Sequence, residues 1–325
     1  MVLRAYAKLN LYLKVLKKRG DNYHNIETIF ERINLFDTVL VNKRRDKKIN
    51  LVASRAGLPQ NPAKNIAYKS AELLQKKFKI NYGADIKIIK RIPIAAGLGG
   101  GSSDAAVVLL ALNKLWGLHL TKENLASLAK NIGADVPFFI YNCPFAYAQA
   151  KGDKIKPLTD CKKTKLWHIL IIPNKRVITA MVYKQWDCAR LKLTPRLRSG
   201  SMVSVPRLRS GLVLSLSKDE VEPLTRPKYD VKILHLALRK RDPGLLGKAL
   251  FNSLEPVTLS LYPEVGVIRN ELSRIGVKSI LMSGSGPAVF GVLSSKKEGL
   301  ALLRQLRARM KKRKKSWQVF LVRTH

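Results

Sequence analysis

Between Pro93 and Leu115 the chain reads PIAAGLGGGSSDAAVVLLALNKL, with four glycines and two serines directly in front of an apolar run of helical spacing. Backbone N–H groups at the start of a helix have no partner within it, and the helix dipole adds partial positive charge there. Such an end attracts phosphate. Gly97, Gly99, Gly100 and Gly101 let the main chain approach phosphate oxygens, while Ser102 and Ser103 can cap the helix and donate hydroxyl hydrogen bonds. A strand, a proline and an apolar helix bracket the loop, which a flexible linker would not require. No Lys-Ser/Thr pair follows the last glycine, so this is not a Walker A loop, and GxGxxG fails because position 102 is Ser.

The elements that must position this loop follow from periodicity. Residues 2–16 alternate like a strand, and Ile26–Val41 continues as β structure after the polar turn KKRGDNYH. Asn61–Phe78 has helical spacing, and Ala84–Ile92 returns to a strand that stops at Pro93. A helix is predicted over Lys122–Ile132, ending at Gly133, with GADVPFFI leading into another strand region. The run WHILIIP, Trp167–Pro173, reads as the first strand of a second domain. Helical patterning covers Tyr229–Arg239, Asp242–Leu254 and Pro263–Ile275. Ser279–Leu293 then forms strand, Gly/Ser turn and strand, and WQVFLVRTH closes the chain as an edge or final strand. The hexamer PRLRSG occurs at 195–200 and again at 206–211. Two copies are too few for a solenoid, so 195–227 is expected to be a surface insertion with little fixed structure, a basic contact loop being the alternative.

A length of 325 residues suggests two domains, and 46% apolar residues suffices for packed cores. Arg4, Lys8 and Lys14 interrupt the N-terminal apolar runs, and the longest membrane candidate, Val136–Ala150, carries two prolines, Asn142 and Gln149. A cytoplasmic protein without a membrane partner is expected. Cys143, Cys161 and Cys188 are odd in number and form no CxxC pair, so they are read as packing residues. The net charge of +39 attracts polyanions of any kind. The dense run at Arg307–Trp317 reads as a solvated helix end or as a nucleic-acid or membrane contact. No nucleic-acid reading motif accompanies it, so no specific nucleic-acid partner is expected.

Three stretches together resemble the GHMP kinases, the superfamily of galactose, homoserine, mevalonate and phosphomevalonate kinases: AKLNLYLKV in the first strand, PIAAGLGGGSSDAA, and MSGSGPAVF in the late turn. The resemblance covers almost the whole chain apart from about 195–227. Within the superfamily, AKLNLYLKVLKKRGDNYHNIETIFERINLFD and GADVPFFI are similar to a branch whose alcohol substrate carries a cytidine diphosphate. A homoserine- or mevalonate-type kinase is the alternative, with DNYH against it; the charge raises a further one, a nucleic-acid-binding protein on a kinase scaffold. The resemblance implies an α+β fold of two domains: a ribosomal protein S5 domain 2-like domain at 1–160 and a ferredoxin-like domain at 161–325, with the site between them. It also implies ATP and magnesium (Mg2+) as cofactors, a small-molecule substrate, and a monomer or weak homodimer.

Residue roles follow from the same resemblance. Asp135 matches the aspartate that takes the proton from the alcohol, and Lys8 the lysine beside it; read alone, they are a helix-end residue and a solvent-facing strand residue. Asn65, Pro93, Gly97, Gly99, Gly100, Gly101, Ser102 and Ser103 would hold ATP. Tyr23, His24 and Tyr183 would enclose the cytosine, with Asn10 and Thr179 in polar support and Gly284 in a turn closing over the phosphate. For Tyr183, ordinary packing is the other reading, as a simple β-turn is for the late glycines. Asn22 stands where the family has Gly, a mild departure because Asn is the next best residue for a left-handed turn. No metal ligand is assigned, since Asp104 serves equally as a first-turn partner of the helix dipole.

Overall fold

The computed structural model describes residues 1–54, 61–191, 227–313 and 315–325. The alternating N-terminal residues form β1 (Val2–Lys18), paired antiparallel with β2 (His24–Arg44) so that Lys8 lies opposite Arg32 and Asn10 opposite Phe30. Register shifts after Tyr6 and after Asn10 bracket Lys8 and Asn10. Such irregularities sharpen the local twist and re-aim side chains. The first sheet runs β3 (Ile49–Ala53), β4 (Gly83–Ile89), β2, β1 and β8 (Phe251–Asn252), with β5 (Phe145–Gln149) on β2 and β6 (Lys154–Pro157) on β5. Packed with it are α1 (Ile66–Lys77), α2 (Gly100–Leu115), α3 (Lys122–Ala129) and α4 (Val136–Tyr141). Nine residues of α2 are buried, including Ala105 to Leu109 without a break. A helix buried on most of its circumference holds a fixed axis, and its N-terminus therefore has a fixed place.

The second sheet is antiparallel throughout, in the order β11 (Gln318–Arg323), β7 (Trp167–Ile172), β10 (Val289–Leu293) and β9 (Ser279–Met282). Around it lie α5 (Thr179–Leu191), α6 (Val231–Lys240), α7 (Pro243–Ala249), α8 (Glu255–Leu261), α9 (Pro263–Arg274) and α10 (Lys296–Lys312). One apolar cluster joins the halves, bringing Leu9, Leu11 and Ile33 together with Leu170, Leu234 and Phe290. Within it His168 of β7 meets Glu31 of β2 at 2.8 Å, both wholly buried, and Thr324 Oγ1 donates to Glu31 at 2.6 Å. A buried polar network of this kind is costly to break, so the halves are held in register across the groove between them.

Several sequence expectations need correction. VPFFIY is helix α4 and not a strand lead-in, with Pro137 in its first turn and Asn142 ending it in the left-handed region; the strand begins only at Phe145. The helix expected over Lys122–Ile132 stops at Ala129. The one expected over Asp242–Leu254 ends at Ala249, and Phe251–Asn252 instead joins the first sheet, parallel to β1. The serines do not cap α2: Gly99 occupies the N-cap position at φ 68°, and Ser102 and Ser103 lie inside the helix. The insertion expected at 195–227 falls outside the described residues save for its last position.

In the basic run near the C-terminus, Arg309 and Arg313 pair with Glu271 of α9 at 2.9 and 2.8 Å, and Trp317 is buried with its Nε1 donating to Glu264. Part of that charge is thus used within the fold. Among the described residues no helix is long and apolar enough to cross a membrane. Cys161 is buried, while Cys143 and Cys188 are half-buried.

Candidate active site

A cavity of about 840 Å³ opens between the two halves, lined by Lys8 and Asn10 of β1, Tyr23 and His24 of the hairpin, Gly97, Gly99 and Ser102 of the loop, Asp135, and Thr179 and Tyr183 of α5. A second cavity of about 340 Å³ adjoins it through Gly97, Gly99 and Ser102 and also takes in Asn65, Pro93, Gly100 and Gly101. The expected residues thus fall around two neighbouring spaces that share part of their lining. Ser103 is the exception, since it is buried and lines neither cavity.

Lys8 Nζ lies 3.5 Å from Asp135 Oδ2 and donates to Asn10 Oδ1 at 2.6 Å, its side chain only 5% exposed. The ammonium also sits 4.8 Å from the centre of the Phe30 ring. A buried ammonium needs such partners, because burial of an unpaired charge is expensive. Lys8 is therefore not the solvent-facing strand residue that its sequence context alone allows. Asp135 stands at the N-cap of α4, yet its side chain makes no capping bond and remains one-third exposed. The carboxylate faces the cavity with Lys8 as its cation.

The phosphate-type loop is fixed from several sides. Gly99 takes φ 68°, and a Cβ there would come within 3.0 Å of Phe139 and 3.1 Å of the Lys8 side chain. At Gly97, φ 76°, a Cβ would stand 2.3 Å from the Ser283 carbonyl oxygen. The late turn therefore abuts the loop backbone to backbone, and Ser283 Oγ donates to the Gly97 carbonyl at 3.2 Å. Asn65 caps α1, accepting from the Ala67 N–H at 2.9 Å, so its side chain serves the helix while the residue lines the smaller cavity. Below the loop, Lys90 bonds both Asp37 and Asp104, the latter at 2.7 Å, and all three are buried. Burial pushes the Asp104 carboxyl up to about 7, with Lys90 pulling it down and Asp37 pushing it further up. Helix α2 begins at Gly100, so Asp104 lies beyond its first turn and is not the dipole partner that the sequence suggested.

At the other end of the larger cavity, Tyr183 stacks on His24 with ring centres 5.1 Å apart and an interplanar angle of 27°. Burial raises the Tyr183 phenol above its usual range, and the charge of Asp135 adds to the shift. Tyr23 is exposed, its ring 5.0 Å from the Lys151 ammonium. Thr179 Oγ1 and Ser285 Oγ share a hydrogen bond of 2.8 Å, and Gly284 follows the strand end at φ 59°. Asn22 takes φ 63°, the left-handed conformation that Asn accepts most readily after Gly.

Sequence reasoning missed Lys18, Lys151, Lys184 and Asp187 as lining residues. For Asp187 a signal existed. Thr179, Tyr183 and Asp187 are spaced by four along α5 and so share one helix face. The lysines had none, since lysines occur along the whole chain.

Residues 65–143 match the model of the GHMP kinases N terminal domain, and residues 234–312 match that of the GHMP kinases C terminal domain. The chain is 37% identical to 4-diphosphocytidyl-2-C-methyl-D-erythritol kinase of Shouchella clausii over 90% of its own length and 85% of that protein. It is 35% identical to the enzyme of the same name from Bacillus subtilis, over 89% of this chain and 87% of the relative. A crystal structure of 4-(cytidine 5'-diphospho)-2C-methyl-D-erythritol kinase superposes with a TM-score of 0.72 at 29% identity, covering 99% of each chain. The L. major mevalonate kinase in complex with R-mevalonate shares the fold alone, with a TM-score of 0.70 at 16% identity over 100% of this chain and 96% of that one. Fold and site define a two-domain GHMP kinase. At this level of identity over nearly its whole length, the chain belongs to the family of 4-diphosphocytidyl-2-C-methyl-D-erythritol kinases.

Proposed function

We propose that this chain transfers the γ-phosphoryl group of ATP to the 2-hydroxyl of 4-diphosphocytidyl-2-C-methyl-D-erythritol, in the non-mevalonate route to isoprenoid precursors. One observation carries the reading: the Lys8–Asp135 pair opens into a single cavity with the glycine loop on one side and the His24–Tyr183 stack on the other. Phosphoryl transfer needs little covalent help from a protein beyond positioning, charge stabilisation and a base. Asp135 accepts the proton of the attacking hydroxyl. Lys8 stabilises negative charge on that oxygen as it develops. Asn10, which the resemblance put in polar support of the cytosine, is instead bonded to Lys8 and through its Nδ2 to Thr28, and keeps the ammonium aimed at Asp135.

The loop from Gly97 to Gly101 cradles the phosphates, with Ser102 opening into both cavities and Asn65 and Pro93 at the nucleotide end. Magnesium takes hard oxygen ligands, and among the described residues the lining of the smaller cavity holds hydroxyl and carbonyl oxygens and no histidine or thiol, so the donor set suits it. Ser102 would hold the ion, which when bound neutralises phosphate charge. At the opposite end, Tyr23 and Tyr183 supply the aromatic faces for cytosine, and His24 and Thr179 complete that subsite, whereas Gly284, packed against Gly97 and Asn10, belongs to the turn that closes over the phosphate. Lys18, Lys151 and Lys184 line the cavity as well and suit a substrate that carries a diphosphate.

The assignment of Asp135 is tested with Asp135→Asn. Equilibrium binding of ATP and of the cytidyl alcohol should stay within about threefold of the native protein, while single-turnover transfer falls by about 100- to 10,000-fold. Transfer at near-native rate in that variant would remove Asp135 from the role of base.

A further inference from the structure

The imidazole of His24 is almost entirely buried, its side chain 4% exposed, yet it lines the cavity. Three elements fix it. Its Nε2 is 2.6 Å from Asp187 Oδ1 of α5, Tyr183 stacks on one face, and the Trp186 ring stands perpendicular to it, at 87° with ring centres 5.5 Å apart. The second carboxylate oxygen of Asp187 accepts from Lys18 Nζ at 3.1 Å, at the end of β1. Asp187 therefore ties together the last residue of β1, the first residue of β2 and the helix that carries Tyr183.

A carboxylate beside an imidazole nitrogen requires that nitrogen to carry the proton, which leaves the other nitrogen as an acceptor when the ring is neutral. One acidic residue then sets both the tautomer and the tilt of the ring. Among the described residues, the only ion pairs of His24 and Asp187 are those with each other and with Lys18. Arg190 of α5 also reaches the end of β1, donating to the Leu16 carbonyl at 3.2 Å, but it touches neither His24 nor Asp187 by hydrogen bond. The Lys18 contact is half-exposed at the lysine and contributes little by itself, whereas the His24 contact is enclosed.

We infer that Asp187 is a positioning residue for recognition of the cytosine end of the substrate: by accepting from His24 Nε2 it holds one imidazole tautomer, and with it the Tyr183 stack, in the geometry that the base meets. The inference deepens the function proposed above and rests on it. Asp187 is remote from the transferred phosphate in role, so it bears on substrate affinity and not on the chemical step.

The test is a split of kinetic constants joined to a spectroscopic readout. Asp187→Ala should raise KM for 4-diphosphocytidyl-2-C-methyl-D-erythritol by about 10- to 100-fold, the range of a lost hydrogen bond to a charged group, with kcat and KM for ATP within about threefold. Asp187→Asn keeps an oxygen that can accept from Nε2–H and should recover most of the affinity. In 15N spectra of the protein without substrate, native His24 should show Nε2 protonated and Nδ1 bare, a preference lost in Asp187→Ala and kept in Asp187→Asn. A KM within about twofold of native in the alanine variant, or a native His24 protonated at Nδ1 instead, overturns the inference. If Asp187→Ala fails to fold, the native spectrum and the asparagine variant still decide. If the native protein does not turn over the cytidyl alcohol at all, the proposed function fails by itself, and the His24 spectra still decide whether Asp187 sets the tautomer.

Discussion

Replacing Lys8 with Met keeps most of the stem and removes the charge, and its effect can be worked from the geometry. The ammonium is 3.5 Å from Asp135 Oδ2 and almost wholly buried. Two unit charges at that separation interact by roughly 5 kcal/mol at an effective dielectric constant of about 20. The carboxylate is one-third exposed, and the charge on the attacking oxygen is only partly developed at the transition state. About 3 to 4 kcal/mol of the interaction then remains, or a loss of about 100- to 1,000-fold in kcat. The KM for ATP should move by less than about fivefold, because the loop is held by its own backbone contacts and not by this charge. The assay is phosphoryl transfer under saturating substrates, with thermal melting to confirm the fold. A Lys8→Met protein that melts like the native one and keeps kcat within about threefold would refute the argument, since a buried ammonium at this distance from the proposed base Asp135 would then have no electrostatic part in the reaction.

Two further outcomes follow from the loop and its support. Gly99→Ala places a Cβ 3.0 Å from Phe139 in a residue at φ 68°, and it should cost about 1 to 3 kcal/mol of stability by chemical denaturation. Gly101→Ala, where a Cβ would meet only Ile66 at 3.6 Å, should stay within about 0.5 kcal/mol and serves as the comparison. Asp104, raised to about 7 from an ordinary carboxyl near 3.8, binds its proton more tightly in the folded chain than in the unfolded one. Its contribution to stability is full at low pH and is lost as pH rises through about 7, so Asp104→Asn should flatten the pH dependence of Tm. Between about pH 5 and about pH 8 the native protein should lose roughly 5 °C relative to the variant. Parallel curves for the two proteins would show that Asp104 does not titrate in that window.

Much of this site was legible in the sequence because its parts are local. Glycines before an apolar helix announce an anion-binding end, and Lys8, Asp135, His24 and Tyr183 each stand in recognisable stretches. What the sequence hid is what depends on distant strands meeting. The joining of Lys90 with Asp37 and Asp104 brings residues 53 and 14 positions away to one point, which no spacing rule encodes. The short apolar run VPFFIY was ambiguous between helix and strand; Pro137 in the first turn and Asn142 after the last were the available signals for a helix. Ser102 and Ser103 looked like caps because those residue types cap most helices, but Gly99 in the left-handed region already turns the chain and leaves the serines inside the helix. Phe251–Asn252 ended a helix early because pairing with Tyr12 and Leu13 of β1 satisfies its backbone instead.

The most direct measurement is phosphoryl transfer from ATP with magnesium to three alcohols offered separately: 4-diphosphocytidyl-2-C-methyl-D-erythritol, homoserine and mevalonate. The proposed function predicts turnover with the cytidyl alcohol and none with the other two, because of the three only that alcohol carries a base for the aromatic end of the cavity. Turnover with homoserine or mevalonate in preference to the cytidyl alcohol would contradict it.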